Sequence, residues 1–478
     1  MVFSSSLFLF GFFPLFFAAY YLVPNKLKNT VVIIGGLFFY TWGARSFVFV
    51  VLGTLFVDWL LGNIIANIIA NKRAEQSHIV KICVAADVVM NIGLLLYFKY
   101  FNFFADNVNF IFQSFGLKPF SYTKVLLPIG VSFVIFQKVT YCIDISRGNA
   151  KLAKNFFHLV EYLFVFSHII AGPIVKYNEL ADQIKFRELT WDKFTQGFSR
   201  FSIGLFKKVW IADTLAKYAD NVFSMGSVMP WDYAWIGIIS YSFQIFFDFA
   251  AYSDMAIGLL SMMGFTIGEN FNMPYISKSV TEFWKRWHIS LTSWFREYLY
   301  YPLGGNRKGK IRTYVNQWIV FLVSGFWHGA SWNYILWGAY HGTIICAEKA
   351  IILKHTEKVP RILRWLVTMI LIMIGWVFFR ADSGIAGWEY VKNMFDFTDY
   401  YVHINPANIM VIDFRGYVML ALASIISFFP MLGRTYDAVF NFMCSHKSLV
   451  AIMSFVLFVL AALKIITAQF SPFIYFRF

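Results

Sequence analysis

Charge is scarce in this chain. Asp, Glu, Lys and Arg make up 14% of its 478 residues, against roughly 25% in an ordinary soluble domain. A soluble protein so poor in charge, and 59% hydrophobic, would have to expose apolar patches that drive aggregation. That excludes a soluble globular enzyme and leaves a chain whose exterior is accepted by lipid. Cysteine is also sparse: Cys83, Cys142, Cys346 and Cys444 stand far apart with no Cys-x-x-Cys pair. This excludes a zinc ribbon and a disulfide framework, so the cysteines read as small hydrophobes. Acid is scarcer than base, 26 residues against 41, for a net charge of +15. The bases sit between apolar runs and not on a soluble face, so they read as markers of cytoplasmic loops, with no nucleic acid implied. Gly-x-Ser-x-Gly, Walker A, His-Glu-x-x-His and Gly-x-Gly-x-x-Gly are all missing, which removes the common hydrolase, nucleotide-loop and zinc-protease readings. Internal repeats and low-complexity linkers are missing too, so residues 1–478 read as one domain.

What the chain has is apolar length. A spanning helix needs about 20 mostly apolar residues. Runs at 6–23, 47–70, 79–98, 125–145, 156–175, 194–212, 235–264, 314–345, 365–379, 410–429 and 449–467 qualify. Residues 30–40 and 101–115 are shorter and suit tilted, re-entrant or interfacial helices. The expectation is an all-α, polytopic membrane protein with about 11–13 transmembrane helices, its 57 Phe and 16 Trp facing lipid and the interfaces. The first run has no basic residue before it, so it is expected to be an uncleaved span. Lys26 and Lys28, Lys72 and Arg73, and Lys349 to Arg364 mark cytoplasmic loops. Residues 382–413, with Asp382, Glu389, Asp396 and Asp399, read as external. This count places both termini outside, whereas residues 156–212 do not fix their own parity.

One stretch breaks the apolar pattern. Residues 271–312 alternate aromatics with Lys278, Lys285, Arg286, Arg296, Arg307, Lys308, Lys310 and Arg312. Residues 280–300 read as an amphipathic helix, or a pair of helices, at the cytoplasmic interface, in contact with lipid headgroups. Ser279 and Glu282 have capping-box spacing, and Pro302 with Gly304–Gly305 makes a turn.

Ionisable groups inside apolar runs are costly and are functional candidates. His328, flanked by Gly325 and Gly329, and His341 lie in the run 314–345. The small neighbours admit a close approach of another chain or a ligand, and neutral imidazole is a competent general base. A structural histidine bonding across helices is the plainer alternative. Asp248 and Asp254 lie in the run 235–264. A transporter would use such acids for protons or cations, which supplies a rival reading as a transporter or polysaccharide flippase; the acids equally suit the orientation of a His or an Arg.

A series of segments, in order, resembles the membrane-bound O-acyltransferase (MBOAT) family in its alginate O-acetyltransferase-like bacterial branch. They are residues 127–133 (LPIGVSF), 141–144 (YCID) with Arg147 and Gly148, 171–174 (AGPI), 244–258, 270–275 (NFNMPY), 282–290 (EFWKRWHIS), 298–306 (YLYYPLGGN), 326–329 (FWHG) with Trp332 and Asn333, and Trp337 with Gly338. The core motifs fall within about 125–345 and a tail motif at 472–478. The resemblance implies helices around a central tunnel. It also implies transfer of an acyl group, in first place acetyl, from a cytoplasmic thioester to an envelope or extracellular polysaccharide. The implied donor is acetyl-CoA or an acyl-carrier protein, with no bound cofactor and no metal. Peptidoglycan O-acetylation and teichoic-acid D-alanylation are alternatives within the class. The family's catalytic histidine falls on His328 and its other motif histidine on His288. Asn333 and His288 are candidate orienting groups or oxyanion donors, and Lys285, Arg286 and Arg296 candidates for the donor's phosphates. Where the branch has Gly-Gly-Leu-Trp-His-Gly, this chain has Ser324-Gly325-Phe326-Trp327-His328-Gly329, which adds bulk beside the histidine. Tyr475, in a Phe-Ile-Tyr-Phe tail, is a candidate acyl relay, and Arg477 replaces a more usual Gln. The aromatic tail also suits a plain interfacial anchor. An extracytoplasmic SGNH-type transferase or esterase is the implied partner, membrane lipid the surroundings, and the bacterial inner membrane the location.

Overall fold

The computed structural model describes residues 1–71, 77–226, 229–398 and 412–467. Among these residues every regular element is helical. Among the described residues six helices are long and apolar enough to cross a membrane: Phe47–Ala70, Ser77–Ser114, Trp231–Met262, Arg361–Arg380, Phe414–Leu432 and Lys447–Thr467. The protein is an all-α, multi-pass membrane protein. Most of these helices leave the larger part of their apolar surface uncovered, as a lipid-facing helix must. Trp231–Met262 is the exception, with 89% of its apolar window buried. The chain groups into two compact units. One comprises Met1–Phe198 and Ala256–Ile267, the other Ser199–Met255 and the described residues from Gly268 onward.

The first unit opens with α1 (Phe13–Leu22), α2 (Lys28–Ala44), α3 (Phe47–Ala70), α4 (Ser77–Leu95) and α5 (Phe101–Ser114). The short apolar segment at 101–115 is not a separate interfacial element, because α4 continues into α5 as a run of 38 residues. The predicted span at 125–145 becomes helical only at Val131, where α6 (Val131–Ser146) begins. Pro128 and a left-handed Gly130 (φ +73°) delay the start.

The predicted span at 156–175 is mostly not a helix. α7 (Phe156–Phe164) ends at the ninth residue, and residues 165–175 run on as buried, non-helical chain. Such backbone is tolerated at membrane depth only where protein satisfies it, and here side chains of α6 and α7 do so. The Tyr162 hydroxyl donates to the Val175 carbonyl (2.8 Å), and Gln137 donates to the His168 carbonyl (3.3 Å). The His168 ring in turn meets the Tyr162 carbonyl at 3.0 Å. α8 (Tyr177–Lys185) and the first half of α9 (Trp191–Phe206) follow.

Charge inside the first unit is paired between helices. Lys138 on α6 lies 3.3 Å from Asp58 on α3 and donates to Thr54 at 2.6 Å. Asn91 on α4 donates to the other Asp58 oxygen at 3.1 Å. Asp58, Asn91 and Lys138 are fully buried, so three helices are joined at one polar point in an apolar setting.

The second unit contains α10 (Asp213–Phe223), most of α11 (Trp231–Met262), α12 (Val280–Arg286), α13 (Ile289–Phe295), α14 (Lys310–His328) and α15 (Trp332–Ala347). The short α16 (Leu353–His355), α17 (Arg361–Arg380), α18 (Gly384–Phe395), α19 (Phe414–Phe428), α20 (Arg434–Ser445) and α21 (Lys447–Thr467) complete it. The apolar run 314–345 is not one span but an antiparallel hairpin, α14 turning at Gly329–Ser331 into α15. A Cβ on Gly325 would strike the Tyr334 carbonyl, and one on Gly338 the Phe321 carbonyl. Two helices can approach this closely only through such small residues. The hairpin brings the basic stretches 307–312 and 349–364 to the same end, as a single span would not.

The Lys138 junction generates a prediction. Removing one partner of a buried pair leaves an uncompensated charge, at a cost of about 3–5 kcal/mol. Lys138→Met is expected to lower the melting temperature of the detergent-purified protein sharply, and the double variant with Asp58→Asn to recover much of the loss. Additive losses in the double variant would show that the two side chains do not interact.

Candidate functional site

Within the stretch 271–312 two short helices, α12 and α13, meet with His288 at their junction, and α13 runs on as a π-helical turn over Arg296–Tyr300. Ser279 caps α12 as its spacing predicts, accepting the Glu282 amide at 3.0 Å. The Glu282 carboxylate reaches back to the Lys278 amide, also at 3.0 Å. The remaining amides at this helix start are held from elsewhere: Glu348, just past α15, accepts the Val280 and Thr281 N–H groups, each at 2.7 Å. α12 is thereby clamped to the end of the α14–α15 hairpin. The turn at Pro302 forms as expected, with Gly304 and Gly305 at φ +103° and +55°.

The stretch does not simply lie on a membrane surface. Phe283, Trp287, Leu291, Trp294 and Phe295 are buried, and His288 is 1% exposed. The aromatic periodicity that suits an interfacial anchor here faces a protein core. His288 itself has φ +45°, a left-handed conformation rare for a side-chain-bearing residue. The chain around it is fixed by Asn270, whose carbonyl accepts the Ile289 amide at 2.9 Å. The Asn270 side chain meets His288 Nδ1 at 3.1 Å, the Ser290 amide at 3.2 Å and the Ser290 hydroxyl at 2.9 Å, and donates to the Ser253 hydroxyl at 3.0 Å. Burial pushes the His288 imidazole down, to about 3, so the ring is neutral at any physiological pH.

His328 is the last residue of α14 and is 6% exposed. The rings of Trp327, Trp337 and Phe379 stand 5.0, 5.2 and 5.2 Å from it, all near edge-on. His288 faces the same Trp327 indole at 6.4 Å. The two motif histidines, 40 positions apart in the chain, thus meet on one aromatic side chain. The flanking Gly329 admits the Tyr334 ring, which a Cβ there would displace, as the small neighbours of His328 predict. His341 lies farther along α15 among Trp284 and Trp337, at 5.1 Å from each, and Gly375 of α17 packs on its ring.

The other candidates are distributed as follows. Asn333 is buried and donates to the Ala381 carbonyl, tying the start of α15 to the end of α17. Arg286 is held by Glu282 at 2.9 Å and by the Asn272 carbonyl at 3.1 Å, while Lys285 and Arg296 are exposed. Tyr475 and the rest of the 472–478 tail lie outside the described residues. A cavity of about 70 Å³ is lined by Phe223, Arg380, Asp382, Glu389 and Tyr390 among others. Among the described residues no group of three or more His, Cys, Asp or Glu is placed to hold a metal ion.

The acids of α11 have partners. Asp248 lies 2.8 Å from Lys208. Asp254 lies 3.0 Å from both Arg200 and Lys207, and Arg200 also binds Glu269. These cations stand in the run 194–212, so the acids orient bases, an alternative the sequence left open without naming the partners. An acid in one apolar run implies a base in another, and that signal was available. Asn270 carried a weaker one. It opens the NFNMPY segment, but nothing in its spacing announces the contact with His288.

Comparison with known proteins finds a family match and relatives similar to this chain over most of its length. The profile described as MBOAT, membrane-bound O-acyltransferase family, matches residues 147–388. The chain is 39% identical to the probable alginate O-acetylase AlgI of Azotobacter vinelandii, with all of both chains covered. It is 43% identical to the protein of that name in Pseudomonas aeruginosa, over 86% of this chain and 78% of the relative. It is also 34% identical to the peptidoglycan O-acetyltransferase of Helicobacter pylori, over 82% of this chain and 80% of the relative.

The Glu348 clamp is open to test. Charge-assisted bonds to backbone amides contribute about 1.5–3 kcal/mol each. Glu348→Ala is expected to melt well below the parent in detergent, and Glu348→Gln in between, since the amide oxygen keeps one acceptor. An alanine variant that melts with the parent would remove the clamp from the account.

Proposed function

This chain belongs to the membrane-bound O-acyltransferase family and is a membrane-embedded acyltransferase, and we propose that it carries an acetyl group from a cytoplasmic thioester to a polysaccharide outside the cell. The observation that carries this reading is the buried, aromatic-walled His328, joined to His288 through Trp327. The relatives that cover most of the chain are named for O-acetyl transfer, which favours acetyl and a sugar hydroxyl. An alginate-like exopolysaccharide is the first acceptor to try and peptidoglycan the second.

In this mechanism His328 takes the proton of the attacking hydroxyl. The hydroxyl oxygen bonds to the thioester carbonyl carbon, the carbon–sulfur bond breaks, and the imidazolium returns its proton to the leaving thiolate. General-base help of this kind contributes roughly 10²–10⁴ in rate. The ring walls around His328 exclude water that would hydrolyse the donor. Acetyl-CoA is the proposed donor, and Lys285 and Arg296 are the exposed cations suited to its phosphates. Arg286 serves Glu282 first. The cavity lined by Phe223, Arg380 and Tyr390 suits the acceptor side, where Asp382 and Glu389 can accept sugar hydroxyls and Tyr390 offers an aromatic wall.

The remaining assignments belong to the same proposal. Tyr475 takes the acetyl group on its phenolic oxygen and releases it to an extracytoplasmic SGNH-type partner, which completes delivery to the polymer. The protein resides in the bacterial inner membrane with both termini outside. The transporter reading has lost the observation that motivated it, since Asp248 and Asp254 are each engaged by cations.

Purified protein in liposomes, supplied with radiolabelled acetyl-CoA, tests the proposal. His328→Ala is expected to reduce label release or transfer by at least about 100-fold. Undiminished transfer by that variant would end its role as base. Tyr475→Phe is expected to keep donor turnover but lose label delivery to the partner. Full delivery by that variant would remove the relay.

A further inference from the structure

The side chains around His288 determine which of its ring nitrogens carries the proton. A backbone N–H can only donate. The Ser290 amide points at Asn270 Oδ1 at 3.2 Å, so that atom is an oxygen and not the amide nitrogen. The other end of the side chain agrees, because Nδ2 faces the Ser253 hydroxyl at 3.0 Å. His288 Nδ1 lies 3.1 Å from the same Oδ1. Two bare acceptors do not approach this closely without a hydrogen between them, so Nδ1 carries it. The Ser290 hydroxyl, 2.9 Å from Oδ1, is a far longer 3.5 Å from Nδ1 and does not compete for that nitrogen. A neutral ring has one proton. Nε2 is therefore a bare lone pair, buried and without a hydrogen-bond partner. The walls of the ring are the apolar faces of Phe249, Phe271 and Trp327.

We propose that Asn270 is a positioning residue for acyl transfer: it locks His288 in the Nδ1–H tautomer and so makes Nε2 a hydrogen-bond acceptor toward a hydroxyl or thiol of the reactants. This rests on the acyltransferase reading of the site. It also separates the two roles that His288 could have. A ring with no proton on Nε2 cannot donate to an oxyanion, so His288 acts by accepting a hydrogen bond from a reacting O–H or S–H group. Ser253 is the outer member of the chain, holding the Asn270 amide in the orientation that presents oxygen to the ring. The plainer alternative is that Asn270 only caps the first turn of α13, which its bonds to Ile289 and Ser290 already do.

The two are separated by a spectrum and a rate. Full-length protein labelled with ring-¹⁵N histidine is compared with His288→Gln by nitrogen NMR, and the difference isolates the His288 signals. The expected form is neutral with Nδ1 protonated and Nε2 bare. A protonated Nε2 in the wild-type difference spectrum overturns the proposal by itself. Asn270→Ala is expected to shift the ring toward the other tautomer. It should also lower kcat for acetyl-CoA-dependent transfer roughly 10–100-fold, as losses of orienting partners do, with KM for the donor little changed. Asn270→Asp keeps the acceptor oxygen but adds a charge that favours the imidazolium; read at a pH where the difference spectrum shows the ring neutral, it is expected to keep the Nδ1–H tautomer and most of the rate even if the alanine variant does not fold. A loss of rate in Asn270→Asp with the Nδ1–H form intact would overturn the link between tautomer and catalysis. The spectrum does not depend on activity. A wild-type protein with the expected tautomer but no acyl transfer would sink the acyltransferase reading and not the assignment of the ring.

Discussion

A polar group inside a bilayer has no water to turn to, and this protein is organised by where it finds partners instead. Each backbone group must be satisfied by another part of the chain, and a charged side chain is stabilised there by a partner. Lys138 and Asp58 do this for each other, and in doing so they bind α3 to α6. The same demand explains how residues 165–175 persist without a helix. Two of their carbonyls, those of Val175 and His168, are taken up by Tyr162 and Gln137, side chains of the neighbouring helices. Polar residues in an apolar frame thus act as fasteners, and the helices are placed by them as much as by hydrophobic contact, which in lipid offers little preference between helix and tail.

The second unit applies this demand to a site. Small residues let α14 and α15 close on each other, and the closure carries His328 to the end of a helix among aromatic rings. The short helices that hold His288 could slide along the hairpin if only rings touched rings. Glu348 prevents this by taking two backbone amides at the start of α12, and Asn270 fixes the other side by main-chain and side-chain bonds around His288. Directional bonds at two points hold a contact between Trp327 and His288 that dispersion alone would leave loose.

Composition and run length made the all-α, membrane-crossing class legible, because the lack of charge leaves no other solution. Local chemistry was legible as well: the Ser279 cap, the turn at Pro302 and the close approach at Gly325 and Gly329 all follow from rules that act within a few residues. The runs 156–175 and 314–345 were misread as single spans for one reason. Hydropathy averages over a window: the Gly-Ala-Ser turn barely lowers the mean while reversing a helix, and α7 ends at Phe164 with apolar residues on both sides of its end. The site divided the same way. His328 and His288 stand out by type, position and family motif. The role of Asn270 depends on a contact across 18 positions, and the pairing of Asp254 with Arg200 on one across 54. Period and composition carry no information at that range.

The meeting of two histidines on one indole has a chemical consequence. Both rings are buried, and burial penalises a charged imidazole. If both acted as bases at once, the site would have to hold two positive charges on rings that share one indole neighbour behind apolar walls. One proton moving between reactants asks for one base and one acceptor that stays neutral. Asn270 is a neutral amide. It orients the His288 ring but contributes no negative charge to stabilise an imidazolium, as a carboxylate in its place would. His288 is therefore built to remain neutral, and the charge that develops during transfer falls to His328.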